Sequence, residues 1–257
     1  MLSYIMETVK SCGPMLLRAT QVAQSVSEKE GQRNFVTTYD KQVQQTLRKA
    51  LLGRWPEAHF MGEEGDNQED TLHGLAFVVD PIDGTTNFIK GYRASTVCVA
   101  ALQDGEAICG VVYDPYTDSL FAAEKGRGAW LNGEPIHVSS RRLSEGLVCL
   151  GTSSYYAELT DHTFVMARAL FDAALDLRRS GSAALDMCYV ACGRAELMYE
   201  EKLWPWDHAA AALIVREAGG KTGQLSGEPL PFDRSSSIVA GAPRAYDDFF
   251  EKGLNGM

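Results

Sequence analysis

The stretch Val78-Val79-Asp80-Pro81-Ile82-Asp83-Gly84-Thr85-Thr86-Asn87 puts two aspartates three residues apart, where an apolar strand gives way to a Gly-Thr-Thr-Asn turn. Neighbouring like charges repel and favour water, so such a pair does little for folding. Carboxylate oxygens are, however, the ligands that hard divalent cations take. Pro81 fixes the backbone between the two acids, which lets both side chains and the Ile82 carbonyl face one point. The run Gly84 to Asn87 brings free N–H groups and hydroxyls to an expected helix start, which suits a phosphate. Metal plus phosphate is the chemistry this stretch points to.

Outward from it, residues 59 to 123 read as strands: His59–Met61, Leu75–Val79, Thr96–Leu102, Ala107–Tyr113 and Ser119–Ala123, parted by Gly, Asp and Pro turns. Before them, Leu2, Ile5, Met6, Val9, Leu16, Ala19, Val22 and Val26 have helical spacing, with a kink or break expected at Gly13-Pro14. Asp40 is expected to cap a second helix that carries Val43, Leu47 and Leu51 inward and stops at Gly53. The second half alternates. Strands at Leu147–Gly151, Leu177–Arg179, Leu197–Tyr199 and Ile238–Ala240 interleave with helices at 160–175, Ser182–Cys192, Asp207–Ala218 and from Tyr246. Helices on an antiparallel sheet, followed by α/β layering, are expected to share one compact body, with residues 1–145 as an α+β half and 146–257 as an α/β half.

The chain has 257 residues and a formal charge of −10. An acidic balance with no basic cluster beyond Arg141-Arg142 and Arg178-Arg179 argues against nucleic acid or an anionic membrane as partner. A phosphate ester is tolerable in such a body only where bound cations invert the local field. Met1 to Lys10 shows no basic stretch followed by an apolar run, so no secretory leader is expected, and no apolar run is long enough to span a bilayer. Six scattered cysteines without a Cys-x-x-Cys spacing suit reduced thiols in a cytoplasmic protein.

Three acidic sites share a context: Glu63-Glu64 after the strand ending at Met61, Asp80 and Asp83 after Val79, and Asp207 after Trp204-Pro205-Trp206 at a helix start. Taken singly, each has an ordinary explanation as a solvated loop, a turn or a cap. Together they place carboxylates at the mouths of successive elements. Rival chemistries fare worse. Cys188-x5-Arg194 has the spacing of cysteine-dependent phosphatases but sits in a helical pattern without a Gly-rich cradle. The five histidines show no zinc-ligand spacing, and His208 reads as a helix-surface residue.

Gly62-Glu63-Glu64, Asp80-Pro81-Ile82-Asp83-Gly84-Thr85-Thr86-Asn87-Phe88 and Trp206-Asp207-His208-Ala209-Ala210 resemble the signature motifs of the inositol monophosphatase family. Val36 to Asp40, Gly110 to Tyr113, Gly181 to Ala184 and Glu217 to Gly220 follow in matching order. The resemblance implies a layered α-β-α-β-α sandwich, usually a homodimer, and a lithium-sensitive phosphatase that needs two to three magnesium ions (Mg2+). It implies metal ligation by Glu63, Asp80, the Ile82 carbonyl, Asp83 and Asp207, with Glu64 hydrogen-bonded behind them. Asp40 would orient the Thr85 hydroxyl toward the attacking water, and Gly84 and Thr85 would hold the phosphate. Ser182, Ala183 and Glu200, with Asp83 and Asp207, would read the leaving alcohol, and Lys29 would ride on a mobile loop. The expected substrate is a small phosphorylated polyol such as inositol monophosphate. Histidinol phosphate and fructose bisphosphate are the alternatives within the family, and a partner-binding regulator with incidental catalysis is the alternative outside it. Where many bacterial relatives carry Gly-Leu-Arg before Pro-Trp-Asp, this chain has Lys202-Leu203-Trp204, so a lysine and an indole alter the shape and charge beside the pocket.

Overall fold

The computed structural model describes residues 1–20, 22–28, 35–65 and 69–256. In chain order its elements are α1 (Leu2–Leu17), β1 (Val26–Glu28), β2 (Phe35–Thr37), α2 (Thr38–Arg54), β3 (His59–Gly62), β4 (Leu75–Asp83), α3 (Thr85–Lys90), β5 (Thr96–Gln103), β6 (Glu106–Asp114), β7 (Ser119–Glu124), β8 (Gly128–Leu131) and β9 (Glu134–Pro135). There follow β10 (Leu147–Leu150), α4 (Thr160–Ala173), β11 (Asp176–Arg178), α5 (Ala183–Ala191), β12 (Leu197–Leu203), α6 (Pro205–Glu217), β13 (Lys221–Gly223), β14 (Ser236–Gly241) and α7 (Pro243–Glu251).

Tight turns order the first sheet. Asp104 and Gly105 both take positive φ, the backbone a two-residue hairpin requires, and they fold β5 onto β6. Seven strands run in the order β3-β4-β5-β6-β7-β8-β9. Every neighbour is antiparallel except β3 and β4, which run parallel. Parallel pairing needs a crossover, and in the second sheet α4 and α5 supply it. Its order is β11-β10-β12-β14-β13, with β10 parallel to both β11 and β12 and β14 antiparallel to its neighbours.

Three apolar layers glue the sheets. Ile5 and Val9 of α1 and Val43 and Leu47 of α2 pack on Phe77, Val79 and Val99. The opposite face of that sheet, with Val78, Ala100, Val112 and Phe121, meets α5 and α6 and, beyond them, Met198, Ile238 and Ala240 of the second sheet. Met166, Leu170 and Phe249 of α4 and α7 close the far side on Val148, Leu150 and Val239. The result is the α-β-α-β-α sandwich. Helix α6 lies in the middle layer with Trp206 and His208 through Val215 all buried, as expected of a helix apolar around its whole circumference. Among the described residues no helix is long and apolar enough to cross a membrane.

Several elements depart from the sequence reading. Helix α1 continues through Pro14 to Leu17. Helix α2 passes Gly53, and its cap is Thr37 rather than Asp40. Thr37 accepts from the Asp40 N–H while Asp40, at the third helical position, accepts from the Thr37 N–H, the reciprocal pair of a capping box. The short strands β1, β2, β8, β9 and β13 were too brief to register as periodic patterns. His208 is fully buried, because α6 has no solvent face at that turn.

Candidate active site

The acidic pair owes its position to strand ends. β3 stops pairing with β4 at Gly62 opposite Val79, and the Glu63 N–H then donates to the Val79 carbonyl at 3.1 Å. Beyond Val79, β4 has lost that neighbour, so Pro81 leaves no ladder bond unmade on that side. On its other edge the register with β5 jumps from Asp80–Cys98 to Asp83–Thr96. This bulge reverses the alternation of faces. Ile82, which shares Asp80's parity, turns into the α1/α2 layer, and Asp83 is thereby brought to the hollow with Asp80.

Each acid is then fixed by backbone. Asp80 accepts the Ile82 N–H at 2.9 Å. Asp83 accepts from the Ser182 hydroxyl at 2.5 Å and the Ala184 and Ala183 N–H groups at 2.8 and 3.3 Å, so it caps α5. Asp207, in the first turn of α6, accepts the Trp204 N–H at 2.6 Å. Gln44 on α2 clamps the Glu63-Glu64 segment: it accepts the Glu64 N–H at 2.9 Å and donates to the Glu64 carbonyl at 2.6 Å. Gly84 takes φ +90°, and a Cβ there would lie 3.0 Å from the Ala94 carbonyl oxygen and 3.1 Å from that of Gly181. Only glycine tolerates both demands. The Thr85 hydroxyl lies 3.3 Å from Asp40 Oδ1 and 3.1 Å from the Ile82 carbonyl, while Asp40 Oδ2 accepts from the Thr37 hydroxyl at 2.5 Å and the Thr37 N–H at 2.8 Å.

These elements enclose a hollow of about 630 Å³. Glu63, Asp80, Ile82, Asp83, Gly84, Thr85, Ser182, Ala183, Glu200 and Asp207 all line it. Asp40 and Glu64 are buried behind its wall. Lys29 lies outside the described residues. Ser182 and Ala183 spend their hydroxyl and N–H on Asp83, and Glu200 accepts the Ser153 N–H at 2.8 Å. The sequence reading passed over Gln44, a polar residue on the apolar stripe of α2, and Asp186, a buried acid in α5 that also lines the hollow.

The electrostatics are those of crowded acids. Burial holds the Asp80 carboxyl well above its usual range, and Glu63, Asp83 and Asp207 push it further. Burial does the same to Asp207, reinforced by Glu63 and Asp83. Asp83 is raised to about 6, burial being partly offset by the Ser182 hydroxyl and the α5 N–H groups. Burial lifts Glu200 and Asp186 to about 7 each. Among the described residues no lysine or arginine forms an ion pair with Asp80, Asp83 or Asp207. Nor, among those residues, are any three His, Cys, Asp or Glu side chains already gathered about one ion-sized point; Glu63 lies within hydrogen-bond reach of Asp80, and Asp83 and Asp207 line the same hollow. Crowded all-oxygen donors that raise one another's pKa at one hollow fit hard divalent cations.

A model of the inositol monophosphatase family matches residues 1–253. The chain belongs to the inositol monophosphatase family. It is 35% identical over 246 residues to the Nus factor SuhB of Escherichia coli, covering 95% of this chain and 92% of that protein. It is 34% identical over 243 residues to the inositol-1-monophosphatase of Rhizobium meliloti, covering 94% and 91%. Among solved structures, the IMPase of Thermotoga maritima superposes with a TM-score of 0.86 at 27% identity, covering 99% of this chain and 96% of that one. Inositol monophosphatase membership accounts for the fold.

Proposed function

We propose that the chain is a magnesium-dependent phosphomonoesterase acting on inositol monophosphate or a similar small polyol phosphate. The observation that carries this reading is the convergence of Glu63, Asp80, Asp83 and Asp207 on one hollow beside the Asp40-braced Thr85. Glu63, Asp80, the Ile82 carbonyl, Asp83 and Asp207 would hold magnesium. When bound, magnesium supplies positive charge to the phosphoryl group and lowers the pKa of water.

The chain's own groups do the rest. Asp40 draws the Thr85 hydroxyl proton toward itself, which leaves the Thr85 oxygen to accept from water and orient it. The Gly84-Thr85 turn offers N–H groups to the phosphate. Water oxygen bonds to phosphorus as the ester P–O bond breaks, without a covalent phosphoenzyme. Glu200, a half-buried acid at the hollow's wall, accepts hydroxyls of the leaving alcohol. Glu64, held through Gln44, keeps the Glu63 segment in place.

Release of inorganic phosphate from inositol, histidinol and fructose phosphates, with magnesium and with a chelator, tests the reading. Magnesium-dependent release that Asp83→Asn removes supports it. Near-normal turnover by Asp83→Asn, with the fold intact, contradicts it. A second reading, a regulator that binds a protein partner, is favoured by the name Nus factor carried by the Escherichia coli relative. Stoichiometric capture of one protein partner, indifferent to magnesium, would support that reading.

A further inference from the structure

One part of the hollow is not acidic. Tyr156, Arg179, Lys202, Trp204 and Trp206 line it together. The Trp204 and Trp206 rings stack with centroids 5.1 Å apart and planes within 6°. The Trp204 indole N–H donates to the Tyr156 hydroxyl at 3.2 Å, and the Lys202 ammonium sits 4.0 Å from the Tyr156 ring centroid. Backbone ties hold the two sides together: the Ser153 N–H donates to Glu200 and the Lys202 N–H donates to the Ser153 hydroxyl at 3.1 Å. Lys202 and Glu200 are two residues apart on β12, although the register with β14 slips between Glu200 and Leu203.

A lysine is strongly hydrated and loses much rotamer freedom when fixed. Here a ring face attracts its charge, and an indole N–H holds that ring. Six acids line the same hollow (Glu63, Asp80, Asp83, Asp186, Glu200 and Asp207), yet among the described residues none forms an ion pair with Lys202. A cation held on an aromatic face in an acidic cavity, with no carboxylate attached, keeps its N–H donors for an anion that arrives from outside. Among the described residues Arg179 is the other cation on the wall; its Nε donates to the Thr152 hydroxyl at 3.2 Å.

We propose that Lys202, positioned by Tyr156 and Trp204 and assisted by Arg179, binds a second phosphate carried on the leaving alcohol, so that the hollow prefers sugar or polyol bisphosphates to the matching monoesters. This deepens the phosphatase reading and rests on it. An ammonium is a point charge suited to a phosphate dianion, and a distal dianion among so many carboxylates needs such a partner.

The test compares kcat/KM for fructose 1,6-bisphosphate and fructose 1-phosphate in the presence of magnesium. The unaltered chain favours the bisphosphate. Lys202→Met lowers the bisphosphate-to-monophosphate ratio at least tenfold, chiefly through KM, because the lost contact is remote from the reacting phosphorus. Lys202→Arg restores most of the ratio, and Tyr156→Leu lowers it several-fold by removing the ring under the ammonium. Lys221→Met, at an exposed ion pair with Asp247, leaves the ratio unchanged, and thermal unfolding midpoints confirm that the variants fold. A ratio within twofold of the unaltered chain in Lys202→Met, with both esters still turned over, overturns the inference and leaves the phosphatase reading standing. Absence of magnesium-dependent release from both fructose esters, with inositol monophosphate still hydrolysed, overturns the inference alone; absence of release from all three by the unaltered chain overturns both readings.

Discussion

The hollow has an acidic wall and an aromatic–cationic wall, and they are built differently. The acidic wall is centred on ten consecutive residues in which strand end, bulge and turn are all local. The other wall is assembled from a loop, 151–156, pinned to the end of β12 by Glu200, Ser153 and the Lys202 backbone. The first places charge where, on the proposed reading, phosphate release needs it. The second places a lysine on a ring. The acidic wall is therefore expected to govern turnover, and the aromatic–cationic wall to govern choice among esters.

Breaking the acidic wall has the largest expected effect. Loss of an outer-shell partner already costs a metal site about 10–100-fold, so Asp83→Asn is expected to lower kcat/KM for inositol monophosphate by about 100-fold or more. Circular dichroism should report an unchanged fold. A loss below about threefold would detach Asp83 from the chemistry. Removal of the Thr85 hydroxyl in Thr85→Val is expected to lower kcat by on the order of 100-fold while KM changes little; an effect on KM alone would reassign Thr85 to binding.

Gly151 packs directly against Glu200 where the loop leaves β10. A Cβ there would lie 1.9 Å from Glu200 Oε2, so Gly151→Ala must displace either the loop or the carboxylate. Overpacking of this kind costs roughly 1–3 kcal/mol, a fall in Tm on the order of several °C. The bisphosphate-to-monophosphate ratio should change with it, while an unshifted Tm would show that the contact relaxes freely.

The shared interior titrates. Glu200 and Asp186 are each raised by burial to about 7 in the fold, above the range of an unfolded carboxyl. Their contribution to stability is present below about pH 4 and lost as pH rises through about 7. The metal-free protein is expected to lose a few °C of Tm between pH 5 and pH 8, with a flatter profile in Glu200→Gln. An identical slope in that variant would remove Glu200 as a source.

The smallest effect is expected at His208. It is fully buried, neither ring nitrogen has a hydrogen-bond partner among the described residues, and burial followed by the Arg216 charge lowers its pKa to about 3. With the folded pKa depressed, its share of stability is present above about 6.5 and lost as pH falls toward 3. Replacing unsatisfied buried polar atoms with an apolar side chain is near neutral or favourable, so His208→Leu is expected to hold or raise Tm. A fall of several °C would mean that the imidazole makes a contact the apolar side chain cannot replace.

The same contrast explains what could be read from the chain. Asp80 to Thr86 was legible because each residue's task, whether a bulge, an αL turn or a strand end, lies within the segment. Helix α6 and the longer strands of both sheets were legible from their apolar runs. The burial of His208 was not, since it depends on α6 being covered by both sheets. Asp40 looked like a cap because it precedes an apolar stripe, and the reciprocal bonds of Thr37 took that task. Gln44 gave one signal, a polar residue on a buried helical face, but its partner Glu64 is twenty residues away. The Tyr156–Lys202 pairing spans forty-six residues, and its loop carries no periodicity.

Anomalous scattering from crystals grown with manganese and inorganic phosphate tests the central claim most directly. Metal peaks within coordinating distance of Asp80, Asp83 and Asp207, with phosphate beside Gly84 and Thr85, are the expected result. Manganese bound elsewhere, or no peak among these carboxylates at saturating metal, would contradict the account.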